Sequence, residues 1–399
     1  MRRFVMLLIL VAGGAAAAQA PAEQQAAPAP QVEPAAPAPK PEKPKAEKPP
    51  VTQSWGNGTI GLLLQGWFTA STDTRFSAAA TSPTFKASGA NNAGTSTFRL
   101  RRAEMSYDGA VAKIVKYRAM IDPTIIQNGP IAVLGDQGHE TVTVKDILQD
   151  AWVGFLVPWH EVRLGQFKIP LTMEGFGSSG KLDFAERSIM SRTFGDQRDI
   201  GLMVLSDKVP YVEYEIALVN GAGKNLYDNS PHKTGVFRVV ATPYKGISVG
   251  GSAQLGGVYS TSAGRMLHRN RAGVEASVEM YGASLKGEYM GGVDGQANSV
   301  NRPSGYYVTG GYRYQNWQGV VRYERYVSDN PTSTEECRAA PNAGTNRCQK
   351  NHGIAVGVNY DLEVPHLNGA KLQLDYLNDK DEVQDTTAHE VFLVAQVKF

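Results

Sequence analysis

Two cysteines occur in 399 residues, Cys337 and Cys348, and the seven histidines are scattered without the spacing that metal ligands need. No cofactor is therefore expected. After the first twenty residues no run of eighteen apolar residues occurs, which excludes membrane-spanning helices. Charge of one sign is also lacking. The whole chain carries +2; taking away Arg2, Arg3 and the four Lys and four Glu of residues 19–50 leaves 34 basic and 34 acidic residues. Such a balance gives no support to nucleic-acid binding. No G-x-S-x-G occurs, and no Ser and His pair suited to a hydrolase can be assembled, so no enzyme is expected. The one glycine motif, "GNGTIG" with Gly56, Gly58 and Gly61, precedes a strand pattern rather than opening a helix, which removes the dinucleotide reading.

What is present begins with an export signal. Arg2 and Arg3 precede the apolar run "FVMLLILVAGG", and small residues from Ala15 to Ala20 offer cleavage sites, so residues 1–18 read as a signal peptide cut between 18 and 22. Residues 19–50 hold ten of the 22 prolines and read as an extended periplasmic tether. In an exported chain Cys337 and Cys348, ten residues apart within "CRAAPNAGTNRC", read as a disulfide worth about 3 kcal/mol through restriction of the unfolded chain. A pair of metal ligands is the other reading, and it lacks a third ligand.

Residues 51–399 repeat a period of two. In "RAGVEASVEMY" Ala272, Val274, Ala276, Val278 and Met280 alternate with Arg271, Glu275, Ser277 and Glu279. Sixteen segments follow this scheme: 59–70, 96–108, 111–122, 144–157, 160–169, 199–206, 211–220, 234–243, 246–257, 269–281, 283–294, 304–315, 317–328, 351–362, 369–380 and 389–399. Most have the length of a tilted strand crossing a bilayer. Their connections alternate long and short, as the external loops and periplasmic turns of an outer-membrane barrel do. The expected fold is all-β: a 16-stranded antiparallel transmembrane β-barrel over 51–399, in the outer membrane of a Gram-negative cell. A large soluble β-protein has no reason to sort its loops by parity.

In such a barrel the apolar face meets lipid and the polar face lines a water-filled lumen. Parity then points Arg102 and Glu104 inward, together with Lys116, Arg118 and Asp122 on the next strand. Arg163 and Lys168 lie close by, on a strand whose parity stays open. Arg102, Lys116, Arg118, Arg163 and Lys168 are the candidate anion-attracting residues, since patches of Arg and Lys favour anions in a pore; solvated wall charge without selectivity is the other reading. The third long connection, 170–198, mixes Phe176, Phe184, Met190 and Phe194 with Lys181, Asp183, Glu186, Arg187, Arg192 and Arg198. It is too apolar for an exposed loop and is expected to fold inward as a constriction, an external lid being the alternative.

The stretches "FRLRRAEMSYDG" and "DAWVGFLVPWHEVRLGQFKIPLTMEGFGSSGKLDFAERSIMSRTFGDQRDIGLMV" resemble the phosphate-selective porin O and P family. The match spans roughly 96–206, through "LRRA", "GQFKIP", "FAERS" and "RDIG" in that order. The resemblance implies a sixteen-stranded, trimeric anion channel whose third loop forms the constriction. Its solutes would be inorganic anions such as phosphate or polyphosphate, or other small hydrophilic molecules. The third loop balances its charges, so a weakly selective general porin is also open, as is a structural or adhesive barrel. Outer-membrane lipid, lipopolysaccharide and the barrel-assembly machinery are the expected partners. The chain ends on "VFLVAQVKF", where Val391, Leu393, Ala395, Val397 and Phe399 form one apolar face. Phe399 is expected to be the signal that assembly machinery reads.

Overall fold

In the computed structural model the described residues are 54–55, 58–72, 95–112, 114–124, 147–228, 230–260, 264–295, 300–328, 350–365, 367, 369–383 and 385–399. The signal peptide, the tether, Cys337 and Cys348 lie outside them. No described helix is long and apolar enough to cross a membrane.

Sixteen strands close on themselves: β1 (Gly58–Ser71), β2 (Thr95–Val111), β3 (Val115–Ile121), β4 (Leu148–Val157), β5 (His160–Lys168), β6 (Arg198–Ser206), β7 (Val212–Val219), β8 (Thr234–Tyr244), β9 (Ile247–Leu255), β10 (Arg265–Met280), β11 (Ala283–Gly295), β12 (Ser304–Tyr314), β13 (Trp317–Val327), β14 (Lys350–Leu362), β15 (Ala370–Asp381) and β16 (Thr386–Lys398). Each pairs antiparallel with its neighbours in the chain, and β16 pairs with β1 from Glu390↔Ser71 to Lys398↔Leu63. The seam ends in two backbone bonds, Leu62 N to Phe399 O at 2.8 Å and Phe399 N to Leu62 O at 3.1 Å. No barrel strand keeps an open edge, as lipid requires.

The alternation has the expected inverted meaning. On β13, Arg322 and Glu324 are 2% and 1% exposed, while Val321 between Val320 and Arg322 is 50% exposed. On β16, Val391 and Leu393 are exposed and Glu390, Phe392, Val394 and Gln396 are buried. Charged groups therefore face the enclosed side, with some apolar ones such as Val394 packed among them, and the outer face is apolar. A two-residue turn, Tyr281–Gly282, joins β10 to β11 with φ of 51° and 83°, the pair of positive values that a type I′ hairpin needs. A Cβ on Gly282 would come 2.6 Å from the carbonyl oxygen of Arg313.

All sixteen strand segments are observed, and the long–short order of connections fails only at the end. β16 begins at Thr386 rather than near 389, so the gap from Asp381 is shorter than the turn from Leu362 to Ala370. The polar residues Thr386 and Thr387 carry no apolar period, yet they pair with Asp381 and Lys380 and lengthen the strand. Between β5 and β6 stand two short helices, α1 (Met173–Phe176) and α2 (Ile189–Phe194), with a 3-10 turn at Ser179–Lys181 between them. Thr172 and Ser188 cap the helices, accepting bonds from the Gly175 and Ser191 amides.

Because Phe399 supplies both bonds at the end of the closing seam, its deletion is predicted to lower the yield of assembled barrel more than the conductance of the barrels that form. Heat-modifiable migration on gels, compared with single-channel conductance, checks this; normal assembly of the deletion variant refutes it.

Candidate functional site

The segment 170–197 is held by side chains of the polar face on β8, β10, β11, β13, β14, β15 and β16. Backbone amides of Met173, Ala185 and Ile189 donate to Glu288 Oε1 at 2.8 Å, Asp375 Oδ2 at 2.7 Å and Glu324 Oε2 at 3.2 Å. Its carbonyls are met by the wall in turn. Lys371 Nζ donates to Leu182 O at 2.7 Å, Asn359 and Gln373 to Asp183 O at 2.9 and 3.0 Å, and Gln396 to Gly180 O at 3.1 Å. Its three phenylalanines each lie under a wall guanidinium: Arg238 over Phe176, Arg322 over Phe184 and Arg271 over Phe194, at 5.6, 4.7 and 5.1 Å. Leu171, Met190 and Phe194 are fully buried with Met203, Val236 and Met290.

Within the segment, Arg187 ties the two helices together. It is 1% exposed, donating to Glu174 O, Gly177 O and Asp196 Oδ2, each at 2.9 Å. Lys168 reaches Asp196 at 2.7 Å, and Asp183 is fixed by Lys286 and Gln318, both at 3.1 Å. Lys181 closes the 3-10 turn on an exposed surface. Glu174, unremarked in the sequence, accepts from the Ser188 amide at 2.7 Å.

The five candidate wall cations divide into different settings. Lys116 pairs with Glu161 at 2.9 Å, and Arg163 shares that carboxylate while stacking on Trp152 at 4.2 Å. Arg118 bridges Asp108 at 2.8 Å and Asp150 at 3.1 Å, and Arg198 binds the other oxygen of Asp150 at 2.8 Å. The parity of β5 is now defined for Arg163: Arg163, with Glu161 buried two residues before it, stands on the face opposite Leu164, which is 59% exposed. Gly165, at φ 133°, then interrupts the pleat before Lys168.

Arg102 has a different setting because β2 is bulged. Gln65 pairs with Arg102 and Gly66 with Leu100, so Arg101 has no partner across the sheet. The extra residue brings Arg99, Arg101 and Arg102 to the same side, where all three line a cavity of about 510 Å³. Arg198, Lys224 and Arg269 also line it, against four acidic residues. Arg102 donates to Gln65 Oε1 at 2.6 Å, and Arg99 and Arg101 stack on Trp67 at 4.9 and 5.6 Å. Arg101 pairs with Glu186 at 3.1 Å. Burial works against ionisation of Glu186, yet Arg101, Arg102, Arg192 and Arg99 around it hold its carboxyl down at about 2. Among the described residues no ion pair joins Arg99, Arg192 or Arg269 to a carboxylate. Arg99, Arg101 and Arg269 escaped sequence reasoning. The available signal was two adjacent arginines inside an alternating strand, which strict alternation cannot place on one face.

A closed, sixteen-stranded antiparallel barrel with charged inner faces is the fold of outer-membrane porins. The sequence narrows it further: residues 84–252 match the family model of phosphate-selective porin O and P, the same family the "LRRA" to "RDIG" motifs resemble. Solved structures share the fold at low identity. The anion-selective porin of Comamonas acidovorans is 11% identical with a TM-score of 0.56, covering 86% of this chain and 99% of its own. The outer membrane channel DcaP of Acinetobacter baumannii is 14% identical with a TM-score of 0.57 over 87% and 99%. In-vitro folded OmpT of Vibrio cholerae, in its trimer form, is 11% identical with a TM-score of 0.52 over 86% and 100%. No curated protein matches the chain significantly in sequence.

Two measurements check the electrostatics of the segment. Glu186 is depressed in the folded state, so its contribution is fully present above its ordinary value of 4.5 and is lost as pH falls through about 2. The difference in single-channel conductance and noise between the wild-type channel and Glu186→Gln should hold steady down to about pH 4 and close only below about pH 3; a difference that closes near neutrality would refute this role. Arg187→Met takes the guanidinium from three part-buried acceptors, Glu174 O, Gly177 O and Asp196 Oδ2, a cost of about 1–3 kcal/mol. It should make the segment a substrate for trypsin in barrels that otherwise resist it, and continued protection would be the contrary result.

Proposed function

We propose that the chain is a passive outer-membrane porin through which small hydrophilic anions, phosphate among them, diffuse down their gradient. The carrying observation is the inner-face cavity on β2, lined by six basic side chains, Arg99, Arg101 and Arg102 among them, against four acidic ones. Net positive charge in a confined, partly desolvated passage raises the local concentration of anions and repels cations. No covalent step is involved. The segment 170–197 acts as an inward-folded constriction: its bonds to β11, β13, β14, β15 and β16 hold it across the passage. Glu186, Asp183, Lys181 and Arg192 then border what remains open, while Arg187 keeps the segment in shape.

The family match and the anion selectivity named for the Comamonas porin agree with this reading. The trimer form of OmpT agrees with assembly as a homotrimer, with aliphatic outer faces between copies. Export would use residues 1–18 as a cleaved signal, and residues 19–50 would span the adjoining periplasm. Insertion would be guided through Phe399 by assembly machinery, and the outer rim would meet lipopolysaccharide.

Purified protein in a planar bilayer under a chloride gradient should give large conductance steps with a reversal potential on the anion side, and added phosphate should reduce chloride current. A barrel that inserts without conducting would instead be a plugged structural or adhesive protein. A reversal potential on the cation side would remove the anion preference.

A further inference from the structure

The connection between β7 and β8 does not leave the barrel directly. Its first part, "NGAGKN", holds three left-handed positions, Gly221 at φ 80°, Gly223 at 94° and Asn225 at 59°, which turn the chain back from the end of β7. The wall then holds it. Asp199 Oδ2 on β6 accepts from the Gly221 amide at 2.8 Å, and the buried Gln166 of β5 makes a two-way pair with Asn225. Asn225 N donates to Gln166 Oε1 at 2.7 Å, and Gln166 Nε2 donates to Asn225 Oδ1 at 2.8 Å. Asn225 Nδ2 adds a bond to Leu148 O, at the start of β4, at 2.9 Å. The connection therefore reaches back past β6 to two strands that are not its neighbours in the chain. Beyond Asn225 it turns outward, and Tyr227 is 97% exposed.

This course places Lys224, with Gly221 and Gly223 beside it, on the lining of the cavity that Arg102 of β2 and Ser179 and Gln197 of the segment 170–197 also border. Wall and two connections thus enclose one space. We propose that residues 220–225 form a second constriction element beside the segment 170–197, with Lys224 as the side chain by which it selects among passing ions. The inference rests on the porin reading and adds a residue to it. A lysine ammonium is a compact charge on a flexible stem, able to follow a moving anion where the guanidinium of Arg101 is held by Glu186. The joint that positions it, Asn225 with Gln166, is uncharged, so salt does not loosen it.

The test uses the full-length protein in a planar bilayer. Lys224→Cys should move the reversal potential under a chloride gradient toward zero. Treating that variant with 2-sulfonatoethyl methanethiosulfonate, which leaves a negative group, should move it on toward the cation side and lower the single-channel conductance. The 2-trimethylammonioethyl reagent, which leaves a positive group, should return the anion preference. Wild-type protein under the same reagents controls for Cys337 and Cys348, and Lys233→Cys, at an exposed position of the same connection, should respond to neither. Asn225→Gly keeps a residue suited to the left-handed backbone and removes the side-chain bonds to Gln166 and Leu148. It should raise the conductance and the open-channel noise. Current and reversal potential unchanged after complete modification of Lys224→Cys, checked by mass spectrometry, overturn the second constriction and leave the porin reading standing. Absence of wild-type conductance would fail that reading itself.

Discussion

Everything in this molecule follows from the need to satisfy backbone polar groups where no water is available. Closure between β16 and β1 meets that need for the wall, since every strand then has two neighbours. Closure has a second effect. It turns aliphatic faces outward and gathers the charged side chains of sixteen strands into one enclosed space, where each must find a partner or remain hydrated.

The segment between β5 and β6 meets the same requirement by a different route. Its backbone makes little regular structure of its own, so its amides and carbonyls are matched one by one with wall side chains. Wall carboxylates accept from its amides and wall amides and lysine donate to its carbonyls. Stacking of Arg238, Arg271 and Arg322 on its phenylalanines lets one side chain serve both as a charge and as packing surface. A segment bonded at this many points has a defined course, and the space it leaves beside β2 is defined with it.

Much of this was legible in sequence because the signals are local. The period of two located sixteen strands, and the apolar set named the outward face of nearly every one. The strand ends were less legible: Thr386 and Thr387 join β16 through pairing with β15, which no pattern within their own residues announces. Arg99 and Arg101 join the buried Arg102 on one side of β2 because a one-residue bulge shifts its register against β1, which alternation within β2 does not announce. Bulges depend on the partner strand, and the partner of β2 lies across a long connection.

The sequence by itself determined the barrel, its strand count and the sign of its two faces, since alternation is written residue by residue and lipid leaves a single way to read it. Only the tertiary structure decided which inner-face cations are neutralised. Lys116 meets Glu161 across 45 residues and Arg101 meets Glu186 across 85. Ion pairing acts over a few ångströms between strands whose register is set by the whole sheet. The balance of charge that composition reports is therefore redistributed by the fold into separate clusters, one around Glu161 and another around Glu186.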